Sequence, residues 1–527
     1  MGFLLLLCGC GSTPHGSRPG SVPTPDETAD AAVPALPDAA AAMDRALADA
    51  RALEPPPERD ASVSPDLPPA TDGPSPPPPS GDEPLPPCRR PVRVASSAEL
   101  ATALTGAQPG DCINLEDGSY TFPVITAKGT AEAPIVVGAA HLLKATVSAG
   151  DLVMQGAAHV VVQGLTWNGA GTISLNDTDH GRISRFRIQR MENGKDWVTV
   201  QGKSDHCRVD HNDFGPQNQV GNMVIVTGPH DEMGGGYFAQ HTRIDHNHFH
   251  DVHFSGGNGW ETIRSGVDML AFSSTFSVIE QNLFVNDAND PEIVSLKSSD
   301  NVVRHNTLRR SNGQFVLRGG NRDLVYGNYV LGDGLATAKG LRVSGGNHRI
   351  FNNYIEGVSG SGIFLEGGTS NDTTGVINEH KQVYKTEVVF NTVINSGGIV
   401  VGGSHPLDPV DCTVAYNLVQ GPGRLYSVTA GSKNITFTGN LGSMGTAGVG
   451  SGVMVVDAKL MKVGQLFTIA AGSPAVNAGL PAFAYVMDDI DGRARDDGKP
   501  DVGALEVSPQ APKFGLLSEA DVGPMAP

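Results

Sequence analysis

The chain has 527 residues, 66 of them glycine and 37 proline, and a formal charge of −19. So acidic a balance, with no basic stripe, argues against a nucleic-acid-binding protein. Any anionic ligand would have to be held by a local basic cluster or a metal ion, against the overall field.

The first ten residues read MGFLLLLCGC, and Leu7-Cys8-Gly9-Cys10 resembles a bacterial lipobox in which Cys10 is lipidated after signal cleavage. Residues 11–87 then hold 20 of the 37 prolines and no Phe, Trp or Tyr. Such a segment cannot bury enough apolar surface to offset its ordering entropy, so it reads as an extended tether. The expectation is a bacterial envelope lipoprotein, at the outer membrane or cell surface, that meets the membrane only through a lipid anchor; simple secretion is the alternative.

Residues 88–527 read as one folded domain. Cys88 and Cys112 flank its first segment and either form a disulfide in an oxidising envelope or stay as two thiols, while Cys207 and Cys412 read as core thiols. Ser96-Ser97-Ala98-Glu99 is a capping box, which predicts a short helix to about Ala107 covering the N-terminal end of the core.

From residue 209 onward one phrase recurs: a β-branched residue, two variable residues, Asn, one variable residue, an apolar residue. It carries Asn212, Asn247, Asn282, Asn306, Asn328, Asn353, Asn391 and, more loosely, Asn417. A repeat of 22 to 26 residues with longer insertions is the pattern of a solenoid whose coils carry loops. The segments are short, rich in Val and Ile, and bounded by Gly, Asn and Asp, so they predict strands. The fold expected is all-β, a right-handed parallel β-helix of roughly a dozen coils, in which the asparagines form a hydrogen-bonded ladder. Near the other end, Gly472-Ser473-Pro474-Ala475 and Asp489 to Glu506 predict a turn-rich C-terminal cap at about 465–510.

Several motifs then resemble one family, the polysaccharide lyases of family 6 that include alginate lyases and chondroitinase B. They run from Glu99-Leu100 and Asp117-Gly118-Ser119-Tyr120 through Asn258-Gly259-Trp260-Glu261-Thr262-Ile263-Arg264, Glu292 to Ser298 and Leu317-Arg318, to Gly340-Leu341-Arg342. The resemblance implies a parallel β-helix that cleaves an anionic uronate polysaccharide, alginate first and a glycosaminoglycan second. It implies Lys297 as base, Arg318 as its catalytic partner, and a calcium ion held by Asn258, Asp290 and Glu292. Glu261, Arg264 and Arg342 are candidate substrate contacts. Two departures stand out: Asp290 occupies a place where the family normally has Glu, and Gly319 one that is often His.

The chemistry asks for the same residue types. Removing the weakly acidic C5 proton of a uronate needs a base, and the neighbouring carboxylate must be neutralised as charge develops. Arginine scarcely deprotonates, so charge stabilisation comes before proton donation for Arg318. Lys297 lies five residues beyond Glu292, which places a bend between them. A galacturonan hydrolase would need paired carboxylates, and the conspicuous pair Asp488-Asp489 falls in the C-terminal cap. A non-catalytic glycan-binding or adhesin solenoid and a C5-epimerase remain as alternatives. His206, His211, His246, His248, His250 and His253 read as coil and loop residues rather than zinc ligands.

Overall fold

The computed structural model describes residues 88–527 apart from 170, 190–193, 218–220, 229–237, 254–258 and 372–378. Cys10, the tether and Asn258 therefore lie outside the described residues.

The described residues form a parallel β-helix. Two sheets of 14 strands and a third of 11 run along it, and each strand pairs with its equivalents one coil before and one coil after. The first sheet spans Arg90–Val94 to Thr436–Thr438, the second Gly118–Tyr120 to Val453–Val455, and the third Leu152–Gln155 to Tyr426–Val428. Alternation within each short strand sends one row of side chains inward. Ile263, Val294, Phe315 and Leu341 stack in one such row, and Phe214, Phe249 and Phe284 in another with ring centroids 4.8 and 4.9 Å apart.

The repeated asparagines mark the corner between the first and second sheets. Each Asn side chain bonds to the next: Asn212 Nδ2 donates to Asn247 Oδ1 at 2.9 Å, and the chain continues through Asn282, Asn306, Asn328, Asn353, Asn391 and Asn417 to Asn440. The residue before each Asn is left-handed, as at His211, His246 and Tyr416 (φ 52–53°). That corner exposes backbone groups the ladder must satisfy, and each Asn Oδ1 also accepts the backbone N–H of the Asn one coil back.

One helix, Ser97–Thr105, covers the N-terminal end and buries Leu100 and Leu104. Ser96 Oγ accepts from Glu99 N as in a capping box, while Glu99 Oε2 reaches back to Ala95 N, one residue before the N-cap. The helix stops two residues short of Ala107. Cys88 and Cys112 are disulfide-bonded, and Cys207 and Cys412 are buried free thiols.

The C-terminal residues do more than cover an end. After an antiparallel pair, Leu460–Val463 with Leu466–Ile469, the chain runs back along the flank of the solenoid. Gly503 N bonds Tyr416 O, Ala504 N bonds Thr392, Asp491 takes the Tyr329 hydroxyl, Leu517 N bonds Thr307, Gly523 N bonds His246 O, and Arg185 reaches Pro524 O and Ala526 O. Buried Arg495 donates to Glu506 and to the carbonyls of Asp501 and Gly503. The acidic residues of this segment thus serve a structural knot.

Candidate active site

The site is built at one end of the third sheet, across the strands Ile263–Gly266, Glu292–Lys297, Gln314–Leu317 and Leu341–Val343. Arg264, Ser295, Val316 and Arg342 are in register on four successive coils and alternate with the inward row. Lys297 pairs with Gly266 at the strand's end, and Arg318 follows Leu317 one coil later. Adjacent strands lie about 4.8 Å apart, so the two cations emerge side by side.

No bend separates Glu292 from Lys297: they are the two ends of one six-residue strand. The five-residue spacing is absorbed by a register shift between Glu292 and Val294. A bulge re-aims a side chain without ending the strand, and it lets a carboxylate and an amine from one strand serve the same site.

Two carboxylates organise the cations. Glu261 is fully buried, with Lys297 Nζ 2.8 Å from its Oε1 and Arg264 Nη1 3.7 Å from its Oε2. This candidate substrate contact lies buried beside the lysine. Glu292 accepts a hydrogen bond from Ser295 Oγ at 2.7 Å, contacts Arg342 Nη2 and lies 3.5 Å from Arg318 Nε. Arg318 also donates to Glu379 O at 2.8 Å. Its guanidinium is thereby clamped between a carboxylate and a loop carbonyl.

Asp290 sits just before this strand. Its Oδ2 accepts from the amides of Gly259 and Trp260 at 2.7 and 3.0 Å, and its Oδ1 from Glu292 N at 2.8 Å. Burial raises its pKa, and the charges of Glu261 and Glu292 push in the same direction. Negative charge is therefore crowded here, and Glu261 Oε2 is buried with Arg264 Nη1 no closer than 3.7 Å. Those features and the all-oxygen donor set suit a hard cation. Among the described residues, Asp290 and Glu292 are not part of a cluster of three His, Asp or Glu ligand atoms within 4.8 Å of one another. A complete ligand set would need Asn258, which lies outside the described residues, or a shift of Glu261.

Other polar groups reach the same end of the sheet. Glu366 follows the inward Leu365 as Lys297 follows Leu296 and Arg318 follows Leu317, so it occupies the equivalent place farther along the sheet. His380 Nδ1 lies 2.9 Å from Glu366 Oε1, and the His380 and His405 rings are 4.2 Å apart. Burial and the charge of His380 lower the pKa of His405, with Arg318 and Arg342 adding to the effect. The position of Glu366 after the apolar pair was a readable signal; the loop histidines offered none.

A parallel β-helix thus brings a lysine, an arginine and crowded carboxylates together on one sheet. Residues 94–404, more than half of the chain, match the chondroitinase B family, and the chain belongs to that family. Solved structures share the fold. The alginate lyase AlyGC is 24% identical with a TM-score of 0.64 over 80% of this chain and 59% of its own. A mannuronic acid specific family 6 lyase from human gut microbiota is 23% identical (TM-score 0.61, 70% and 91% covered). A family 6 polysaccharide lyase from Pseudopedobacter saltans is 20% identical (TM-score 0.57, 82% and 99% covered). The chain thus spans well under two thirds of AlyGC. No curated protein matches it.

Proposed function

We propose that the protein is a polysaccharide lyase that cleaves a uronate polysaccharide by β-elimination, alginate in the first place and a glycosaminoglycan such as chondroitin or dermatan sulfate in the second. The observation that carries this reading is the emergence of Lys297 and Arg318 side by side on adjacent coils, the first held by Glu261 and the second by Glu292. Family membership and the likeness to alginate and mannuronic acid lyases support it.

Lys297 Nζ takes the C5 proton, the C5 electron pair forms a C4–C5 double bond, and the C4–O bond breaks. The departing oxygen then receives a proton from the lysine ammonium or from solvent. Arg318, clamped and permanently charged, faces the uronate carboxylate and offsets charge as C5 is deprotonated. Arg264 and Arg342 grip carboxylates or sulfates of flanking sugars. Asp290 and Glu292, with Asn258, are the residues that would hold calcium. When bound, the ion neutralises the substrate carboxylate.

The test is to incubate the protein with alginate, polymannuronate, polyguluronate, chondroitin and dermatan sulfates and pectate, with and without chelator, and follow the absorbance of the 4,5-unsaturated uronate. A rise on one polymer that Lys297→Ala abolishes supports the reaction. Sensitivity to chelator supports the calcium assignment separately. A flat trace on every polymer from folded protein overturns the lyase reading.

A further inference from the structure

On the corner that joins the third sheet to the first, four successive coils each place a histidine. His159, His180, His206 and His241 all have left-handed backbones, with φ between 47° and 52°. The residues before them, Ala158, Asp179, Asp205 and Gln240, are bridged in parallel from coil to coil, which holds the histidines in register. Their rings stack, with centroids 4.4, 4.9 and 4.5 Å apart, and Phe276 closes the row 5.1 Å beyond His241.

A left-handed corner favours Asn, Asp and His for backbone reasons alone. Elsewhere the same kind of corner carries Asp300, Arg322, Asn347, Lys385, Asp411 and Asn434. Backbone preference therefore does not account for four imidazoles in succession, nor for the carboxylates beside them. His180 Nδ1 lies 2.8 Å from Asp179 Oδ1, and Asp205 Oδ1 lies 3.1 Å from His206 Nδ1 and 2.8 Å from His241 Nδ1. His159, Asp179 and His180 form one set, and Asp205, His206 and His241 a second. In each, a carboxylate oxygen and two imidazole nitrogens lie within 4.8 Å of one another.

We propose that this ladder is a two-ion surface site for a borderline divalent transition cation of the zinc class, separate from the catalytic site. Two imidazoles and one carboxylate match the donor preference of such ions, and water completes the shell. Tetrahedral ligands on zinc stand about 3.3 Å apart, given bond lengths near 2.0–2.1 Å, so small side-chain rotations close each set. The histidines and aspartates of both sets reach solvent, which gives the ion an entry path. Two coils separate the sets, about 10 Å, far enough for two ions to bind without sharing ligands.

Metal-stripped full-length protein titrated with zinc chloride in a calorimeter tests this. His180→Asn and His241→Asn keep a residue that tolerates the left-handed backbone. Each is expected to remove one zinc equivalent and the pair two, with lyase turnover and melting temperature unchanged and calcium in large excess failing to compete. Asp179→Asn with Asp205→Asn removes the carboxylates and leaves the rings; its zinc affinity should fall at least tenfold. A double histidine variant that binds as many ions as the parent, or a parent that binds none, overturns the proposal.

Discussion

Lys297 and Arg318 are both held by a carboxylate, but the two carboxylates differ in what they can do. Glu261 is buried against Lys297 and Arg264, whereas Glu292 touches Arg342 as well as Arg318. Lys297→Ala should therefore abolish turnover and also lower the melting temperature, because it leaves the Glu261 carboxylate buried without its 2.8 Å partner. Glu261→Gln keeps the shape and removes the charge that positions the amine. Its kcat should fall by about tenfold or more with little change in KM, the split expected of a positioning residue. A rise in KM alone would point to direct substrate contact.

Asp287 illustrates a cost carried by the same region. Burial pushes its pKa up to about 6, even though Thr262 Oγ1 donates to it at 2.7 Å. The folded state then binds a proton that the unfolded state has already released between pH about 4 and 6. Stability due to this group falls as pH rises through that window, by about 3 kcal/mol in all, and is not recovered above it. Asp287→Asn should flatten this part of the melting-temperature profile, as read by thermal scans at a series of pH values.

At the scale of the element, the asparagine ladder is the device that turns separate coils into one stack. Asn306 donates to Ile279 O, Arg304 O and Asn328 Oδ1, and accepts from the backbone and side-chain N–H of Asn282. Asn306→Ala strands a buried N–H and buried carbonyls on neighbouring coils, which should cost about 2–4 kcal/mol in equilibrium urea unfolding. A cost below about 1 kcal/mol would show that water replaces the amide. The ladder was legible although its spacing varies with loop length: however long the insertion, the chain must return an Asn to the same corner. The spacing from Glu292 to Lys297 predicts a bend between them, where the structure has one strand with a register shift. A register shift arises from pairing with Gln314–Leu317, and a single strand carries no mark of it.

Across the whole molecule, the C-terminal segment links coils that are far apart in the chain. Arg185 reaches Pro524 and Ala526, and Gly523 N reaches His246 O. Deleting residues 511–527 uncovers this flank and should lower the melting temperature by several degrees. The sheet end that carries Lys297 should keep its turnover at low temperature. Loss of turnover at all temperatures would instead place the segment in the catalytic machinery. The Cys88–Cys112 disulfide closes a loop of sequence separation 24, so its reduction should cost about 3 kcal/mol or less, measured by denaturation with and without reductant.

The sequence by itself determined the solenoid and the capped helix, and it offered Lys297 and Arg318 as candidates. Each of these is written in local spacing: a β-branched repeat, a capping box, a motif carried on one strand or the next. The tertiary structure decided which charges meet. Glu261 and Lys297 lie 36 residues apart and Glu292 and Arg342 lie 50 apart, and they touch because coils with loops of different length come back into register. The same holds for the histidine corner, whose members stand 21, 26 and 35 residues from one another and meet only when the coils stack. Contact between coils depends on the stacking of backbone hydrogen bonds, and that is a property of the folded chain rather than of any segment of it.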